Sequence, residues 1–180
     1  MRMQRTRGLL ALTVALFLVA TMATPSAAAT TTPYNANFPQ ERTVQRTCPP
    51  GVPAGAFCFT GSDHSGLGTS TPPGGTATED FAGFVDFSST GTCPDGTTGF
   101  RDHNVVSIGT HSGNLFLTTT GLDCPSLGQD NGTWQVVGGT GIFAGATGSG
   151  TVHTQATGGT GTPSDPIRSF STYTGTVRLR

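Results

Sequence analysis

The chain predicts an all-β protein: an eight-stranded antiparallel β-barrel held by disulfides. Three observations carry that expectation. Helical periodicity is nearly absent after residue 29, and short alternating runs broken by Gly, Pro, Asn and Asp recur instead. The runs number about eight, and closing them on one another would remove exposed sheet edges. The four cysteines, Cys48, Cys58, Cys93 and Cys124, are an even set, which suits two disulfides in an exported chain.

Export is read from the start of the chain. Arg2, Arg5 and Arg7 form a basic region, and residues 9–23 form an apolar stretch too short for a comfortable membrane span. Ala27-Ala28-Ala29 supplies small residues for cleavage, so residues 1–29 read as a signal peptide and the mature chain as secreted. All nine basic residues are Arg, and three of them lie in the signal. Six Arg against ten acidic residues leave the mature chain at −4. That sign argues against nucleic acid or an anionic membrane as partner.

Residues 30–41 read as a flexible leader, since their Thr, Pro and Asn carry no period. The barrel domain is expected over 42–180. A first strand is expected at 42–47, followed by the turn Cys48-Pro49-Pro50-Gly51. The second, at 56–62, places Phe57 and Phe59 on one face and Cys58 on the other. A third at 65–71 ends at Pro72-Pro73-Gly74-Gly75. The strongest strand, 80–89, sorts Phe81, Gly83, Val85 and Phe87 to one face and Ala82, Phe84, Asp86 and Ser88 to the other. Residues 104–110 and 114–120 form a hairpin closed through His111-Ser112-Gly113. Asp130-Asn131-Gly132 reads as a turn before a strand at 133–137. Strands at 149–155 and 168–179 finish the sheet, the last with Phe170 on one face and Tyr173, Gly175, Val177 and Leu179 on the other. Among the three possible cysteine pairings, Cys48–Cys58 and Cys93–Cys124 are favoured because each joins sequence neighbours. Zinc is not expected: there is no C-x-x-C spacing and no His pair at finger spacing.

The run Gly138-Gly139-Thr140-Gly141-Ile142-Phe143-Ala144-Gly145-Ala146-Thr147-Gly148-Ser149-Gly150-Thr151 contains Gly139-x-Gly141-x-x-Ala144, a match to the dinucleotide fingerprint. That motif needs a helix directly after it. Gly145, Gly148 and Gly150 follow instead, and glycine is a poor helix former. The run resembles the GGTGxFxxAxG signature of the allene oxide cyclase and dirigent β-barrels. The resemblance implies an eight-stranded barrel whose lumen opens at one end, a hydrophobic ligand, and self-association of the kind plant members show. Its members cyclise a fatty-acid epoxide or steer the coupling of phenolic radicals. Gly138, Gly139, Gly141, Phe143, Ala146 and Gly148 match its structural motif; its reactive groups find no residue-by-residue match.

Among single residues, Asp86 is the candidate acid or base. If its face lines the barrel, its charge needs a partner, Arg101 or Arg178, and its pKa would rise. Phe84 and Asp86 would then meet the ligand. The alternative places Asp86 on the solvent side. Asp63-His64 and Asp102-His103 are neighbours whose side chains point to opposite faces. His111 falls in a turn and His153 mid-strand. Trp134, Phe143 and Tyr173 read as core or rim aromatics. No G-x-S-x-G elbow is present, and neither a metal nor another cofactor is expected. The leading function is therefore binding of a small hydrophobic molecule in the lumen. An isomerase or cyclase in the same lumen is the second reading, and a filled barrel with a structural role the third.

Overall fold

Alternating side chains build nine strands: β1 (Thr30–Gln45), β2 (Phe57–Ser62), β3 (Thr69–Thr71), β4 (Ala77–Thr92), β5 (Thr98–Thr110), β6 (Gly113–Cys124), β7 (Gln129–Gly139), β8 (Thr147–Gly158) and β9 (Ile167–Leu179). The computed structural model describes residues 29–45, 47–63 and 66–180. The signal expected over 1–29 lies, apart from Ala29, outside the described residues, as does His64.

The strands form one antiparallel sheet in the order β2-β4-β5-β6-β7-β8-β9-β1-β3, and an added β1–β2 pairing closes it in a ring. Closure depends on β1. One edge pairs with β9 from Thr30↔Leu179 to Arg42↔Ile167. The other edge is shared by β3, through residues 35–37, and β2, through residues 41–45. Nine strands form, and the ring still has the eight places expected, because three-residue β3 sits beside β2 on that edge and adds none.

The leader expected over 30–41 is instead most of β1. Its aperiodic look hides an alternation in which Tyr34, Ala36 and Phe38 are fully buried, Asn35 and Asn37 lie between them, and Pro33 and Pro39 flank them. Asp130-Asn131-Gly132, expected as a turn, lies inside β7. Pairing on both edges, with Asn131 opposite Leu122 and His153, outweighs its local turn chemistry. The β5–β6 hairpin turns through His111-Ser112, as the sequence indicated.

One end of the ring is filled. Tyr34, Phe38, Ile108, Leu115, Leu117, Trp134, Phe143 and Val177 are buried there. Phe143 enters from a single 3-10 turn, Gly141–Phe143, which caps this end. Gly141 must be glycine, since its φ is +59° and an added Cβ would lie 2.0 Å from Ser112 O. The dinucleotide-like glycines thus lead into this turn and β8, with no α-helix. Trp134 donates its indole N–H to Thr151 O at 3.1 Å and Thr174 O at 3.2 Å. Its ring lies over paired Gly150 and Gly175, where a Cβ would come within 2.7 Å and 2.6 Å of the indole. Tyr34 meets it edge-on at 5.4 Å.

Two disulfides staple the other end, Cys48–Cys58 and Cys93–Cys124. The first closes the loop before β2, and the second ties the β4–β5 turn to the end of β6. Each contributes about 2–4 kcal/mol, chiefly by restricting the unfolded chain, and both suit an oxidising compartment. Among the described residues, no helix is long and apolar enough to cross a membrane.

Gly175→Ala forces a methyl group against Trp134 and the β8 backbone. Overpacking of this kind costs about 1–3 kcal/mol. Urea denaturation should show that loss; an unchanged midpoint would mean that the indole seat is loose.

Candidate functional site at the open end of the ring

At the stapled end the inward positions change character. On β1, Phe38 is followed by Gln40 and Arg42. On β5, Ile108 and Val106 give way to Asn104 and Asp102; on β6, Leu117 gives way to Thr119; on β7, Trp134 leads down to Asp130. The polar side chains meet inside the ring, and the cavity there is small. A space of about 30 Å³ is lined by Gln40, Arg42, Phe59, Phe81, Asp130 and Tyr173 among others, which suffices for roughly one water. Arg42, Asp130 and Thr154 also border a mouth cleft of about 240 Å³ with Asp123, Ile167 and Ser169. These three residues form the neck between cavity and mouth.

Glu79 is 1% exposed. It accepts from Tyr173 Oη at 2.5 Å and from Gln40 Nε2 at 2.5 Å. Ser169 Oγ donates to Gln40 Oε1 at 3.1 Å, so the network crosses β4, β1 and β9. Burial outweighs these hydrogen bonds and pushes the Glu79 carboxyl up to about 7. Burial and the Glu79 charge together raise the Tyr173 phenol, keeping it a proton donor.

Asp102 and Asp130 form the second acidic centre. Asn104 Nδ2 donates to Asp102 Oδ2 at 2.6 Å and to Thr119 Oγ1 at 2.9 Å. The two Oδ1 atoms converge above Gly121, whose missing Cβ makes room for both. Neither Oδ1 meets a neutral donor. Two buried carboxylates in contact cannot both ionise cheaply, so the pair shares a proton. Burial first, and for Asp130 the Asp102 charge next, raise both carboxyls. Burial also raises Asp123, against the pull of Arg42. The Arg42 guanidinium stacks over Phe59 at 5.1 Å, and its Nε is buried without a partner.

On β2, β4 and β5, Phe57, Phe59, Phe81, Phe87 and Phe100 form a chain of ring contacts with centroids 5.0–6.5 Å apart. Two of them, Phe59 and Phe81, share the small cavity with Arg42 and Asp130.

The lumen face of β4 is the one carrying Ala77, Glu79, Phe81 and Val85. Phe84 and Asp86 therefore lie on the outer wall, which corrects the expectation that they line the lumen. Asp86 stands opposite Arg101 in register. Its carboxylate is held by Ser88 instead, accepting from the backbone N–H at 2.9 Å and from Oγ at 2.6 Å. Those bonds lower its pKa rather than raise it. Phe84 packs on His103, ring centroids 5.1 Å apart. His111 is in the β5–β6 turn, and His153 points outward to Asn131 at 2.7 Å. The motif residues Phe143 and Ala146 are buried in the filled end, and Gly138, Gly139 and Gly148 lie in β7 and β8 beside them. Among the described residues, no group of three His, Cys, Asp or Glu is arranged to hold a metal ion.

Glu79, Asp102 and Asp130 were not singled out by sequence reasoning as buried acids. The available signal was phase: Asp102 shares the inward phase of Val106 and Ile108, and Asp130 that of Trp134. A carboxylate in phase with a buried face is the pattern to search for. Comparison of the chain with protein-family models, with curated proteins and with solved structures gave no match.

Unfolded Glu ionises near 4.5, whereas folded Glu79 keeps its proton to about 7. Between these values the folded chain holds a proton that the unfolded chain has lost. Its stabilisation is therefore complete below pH 4.5 and is lost as pH rises through 7. At about 1.36 kcal/mol per pH unit, the loss is roughly 3 kcal/mol. Urea midpoints measured across this window should fall in the natural chain, and Glu79→Gln should remove about that share of the decline. An equal slope in the variant would show that Glu79 does not titrate with folding.

Proposed function

We propose that this protein is an exported binding module of the allene oxide cyclase and dirigent barrel type. Its ligand is a small, mainly hydrophobic molecule with one polar end, seated at the open mouth of the ring. The observation that carries this reading is the mixed lining at this end: Phe59 and Phe81 meet Arg42 and Asp130 around the small cavity, and Arg42 and Asp130 continue into the mouth cleft. Apolar walls with a few convergent polar groups are the usual make-up of a small-molecule site. The deep cavity admits little more than a water, so the polar end reaches the neck while the apolar body rests in the mouth. The glycine signature supports the barrel type through its place at the filled end, where it carries Phe143 and makes no contact with the mouth. Two disulfides and the basic, then apolar, N-terminus support export.

A second reading, acid–base isomerisation at the same mouth, is favoured by one specific feature. Asp102 and Asp130 share a proton beside the cavity, and Glu79 titrates near neutrality behind Tyr173. Paired groups with raised pKa values suit proton transfer.

Native mass spectrometry of the secreted chain should show added mass that disappears on denaturation. Arg42→Ala removes the cation that lines the neck among the described residues and should weaken retention by about tenfold or more, the scale of a central interface contact. Bare protein at every concentration of apolar extract would overturn the binding reading. Turnover of the captured compound that Asp130→Asn abolishes, while the ligand is still retained, would replace it with the enzyme.

A further inference from the structure

The outer wall of the ring gathers apolar residues on β4 and β5, whereas Val137 and Phe170 are exposed singly elsewhere. Antiparallel sheets with one solvated face place polar residues outward. On β4 and β5 the outward residues Ala82, Phe84 and Val105 are apolar instead, and Val105 is 59% exposed. Register brings them together: Phe84 faces His103, Ala82 faces Val105, and Val105 faces Thr118 on β6. A loop covers one side. The Cys48–Cys58 disulfide fixes residues 49–55 over the outward side of β2, and Pro49 and Val52 supply a second wall. The result is a cleft of about 330 Å³, within the size range of small-molecule sites.

Its chemistry selects an occupant. Among the described residues, the lining contains no Asp, Glu, Lys or Arg. A charged guest would lose its water with no counter-charge to replace it, at a cost of several kcal/mol. Phe84 and His103 lie with their rings tilted 32° from one another, giving a platform for a flat ring system. The hydrogen-bonding residues of the lining are His103, Asn104, Thr118, Thr119 and Thr120, of which Asn104 and Thr119 are bonded to one another.

We propose that this outer cleft is a second binding site, distinct from the mouth, for a flat, uncharged, mainly apolar small molecule. It is separated from the mouth by the thickness of the sheet. The disulfide loop acts as its fixed wall, so the site is formed before the ligand arrives. Phe84 is then a ligand-contact residue on the outside of the ring, while Asp86, two residues on, is occupied by Ser88.

The probe is N-phenyl-1-naphthylamine, which is flat and uncharged, with its sulfonated analogue 1-anilinonaphthalene-8-sulfonate as the charged control. Titration of the intact disulfide-bonded chain should give saturable fluorescence at one site per chain. Val105→Asp sits at an exposed position and should fold as the natural chain does, with thermal unfolding as the check. It should weaken probe binding by about tenfold or more, and Phe84→Ser likewise. Arg42→Ala should leave probe binding unchanged, and the sulfonated analogue should bind about tenfold more weakly than the neutral probe. Three results would overturn the proposal: no saturable binding, binding unaffected by both outer-wall substitutions, or binding lost with Arg42→Ala, which would move the probe to the mouth. Concentration-dependent dimerisation abolished by Val105→Asp, with no probe binding, would also overturn it and assign the cleft to a second copy of the chain. Failure here leaves the mouth reading intact, because that rests on Arg42 and not on Phe84.

Discussion

The structure depends on β1 being paired along both edges. Without it, β9 and β2 would each end in a row of unpaired backbone groups, and the lumen would open to water along its length. With it, the ring closes, and its inward residues reach both halves of the interior: Tyr34 and Phe38 toward the filled end, Gln40 and Arg42 toward the site. One strand therefore contributes both the core's largest aromatic contacts and the cation at the neck. The same segment that closes the fold sets the geometry of the mouth.

The interior is divided by chemistry along the axis. Trp134 sits on a floor of two glycines, and Phe143 seals the end behind it, so that half is packed as a protein core is packed. Three carboxyl groups lie toward the other half. Burying them is unfavourable, and it raises the pKa of each. Glu79 with Tyr173 and Gln40, and Asp102 with Asn104, form two buried hydrogen-bonded clusters in that half. This makes the polar half responsive to pH, while the apolar half is not.

The legible part of the fold was local. Alternation located the cores of the later strands, and the faces of β9 were assigned correctly because Tyr173, Val177 and Leu179 carry a clear period. Cysteine spacing favoured the observed pairing. The illegible part was relational. β1 looked aperiodic because its outward positions are Asn and Pro, residues that also mark loops. Asp130-Asn131-Gly132 carries a strong turn signal that two flanking strands overrode. On β4, both faces hold phenylalanines, so period alone could not say whether Phe81 or Phe84 looked inward; the neighbours β2 and β5 made that choice.

Sequence alone determined the all-β character, the disulfide count and the place of the glycine turn. Each of these is encoded by residues near one another in the chain, through backbone preference and local spacing. Tertiary structure alone decided which buried acids meet. Asp102 and Asp130 are 28 positions apart, and they meet because β5 and β7 both flank β6, whose Gly121 leaves room above it. Their shared proton, like the Glu79–Tyr173 contact, arises from closing a sheet into a ring, a long-range event for which no short stretch of sequence carries the signal.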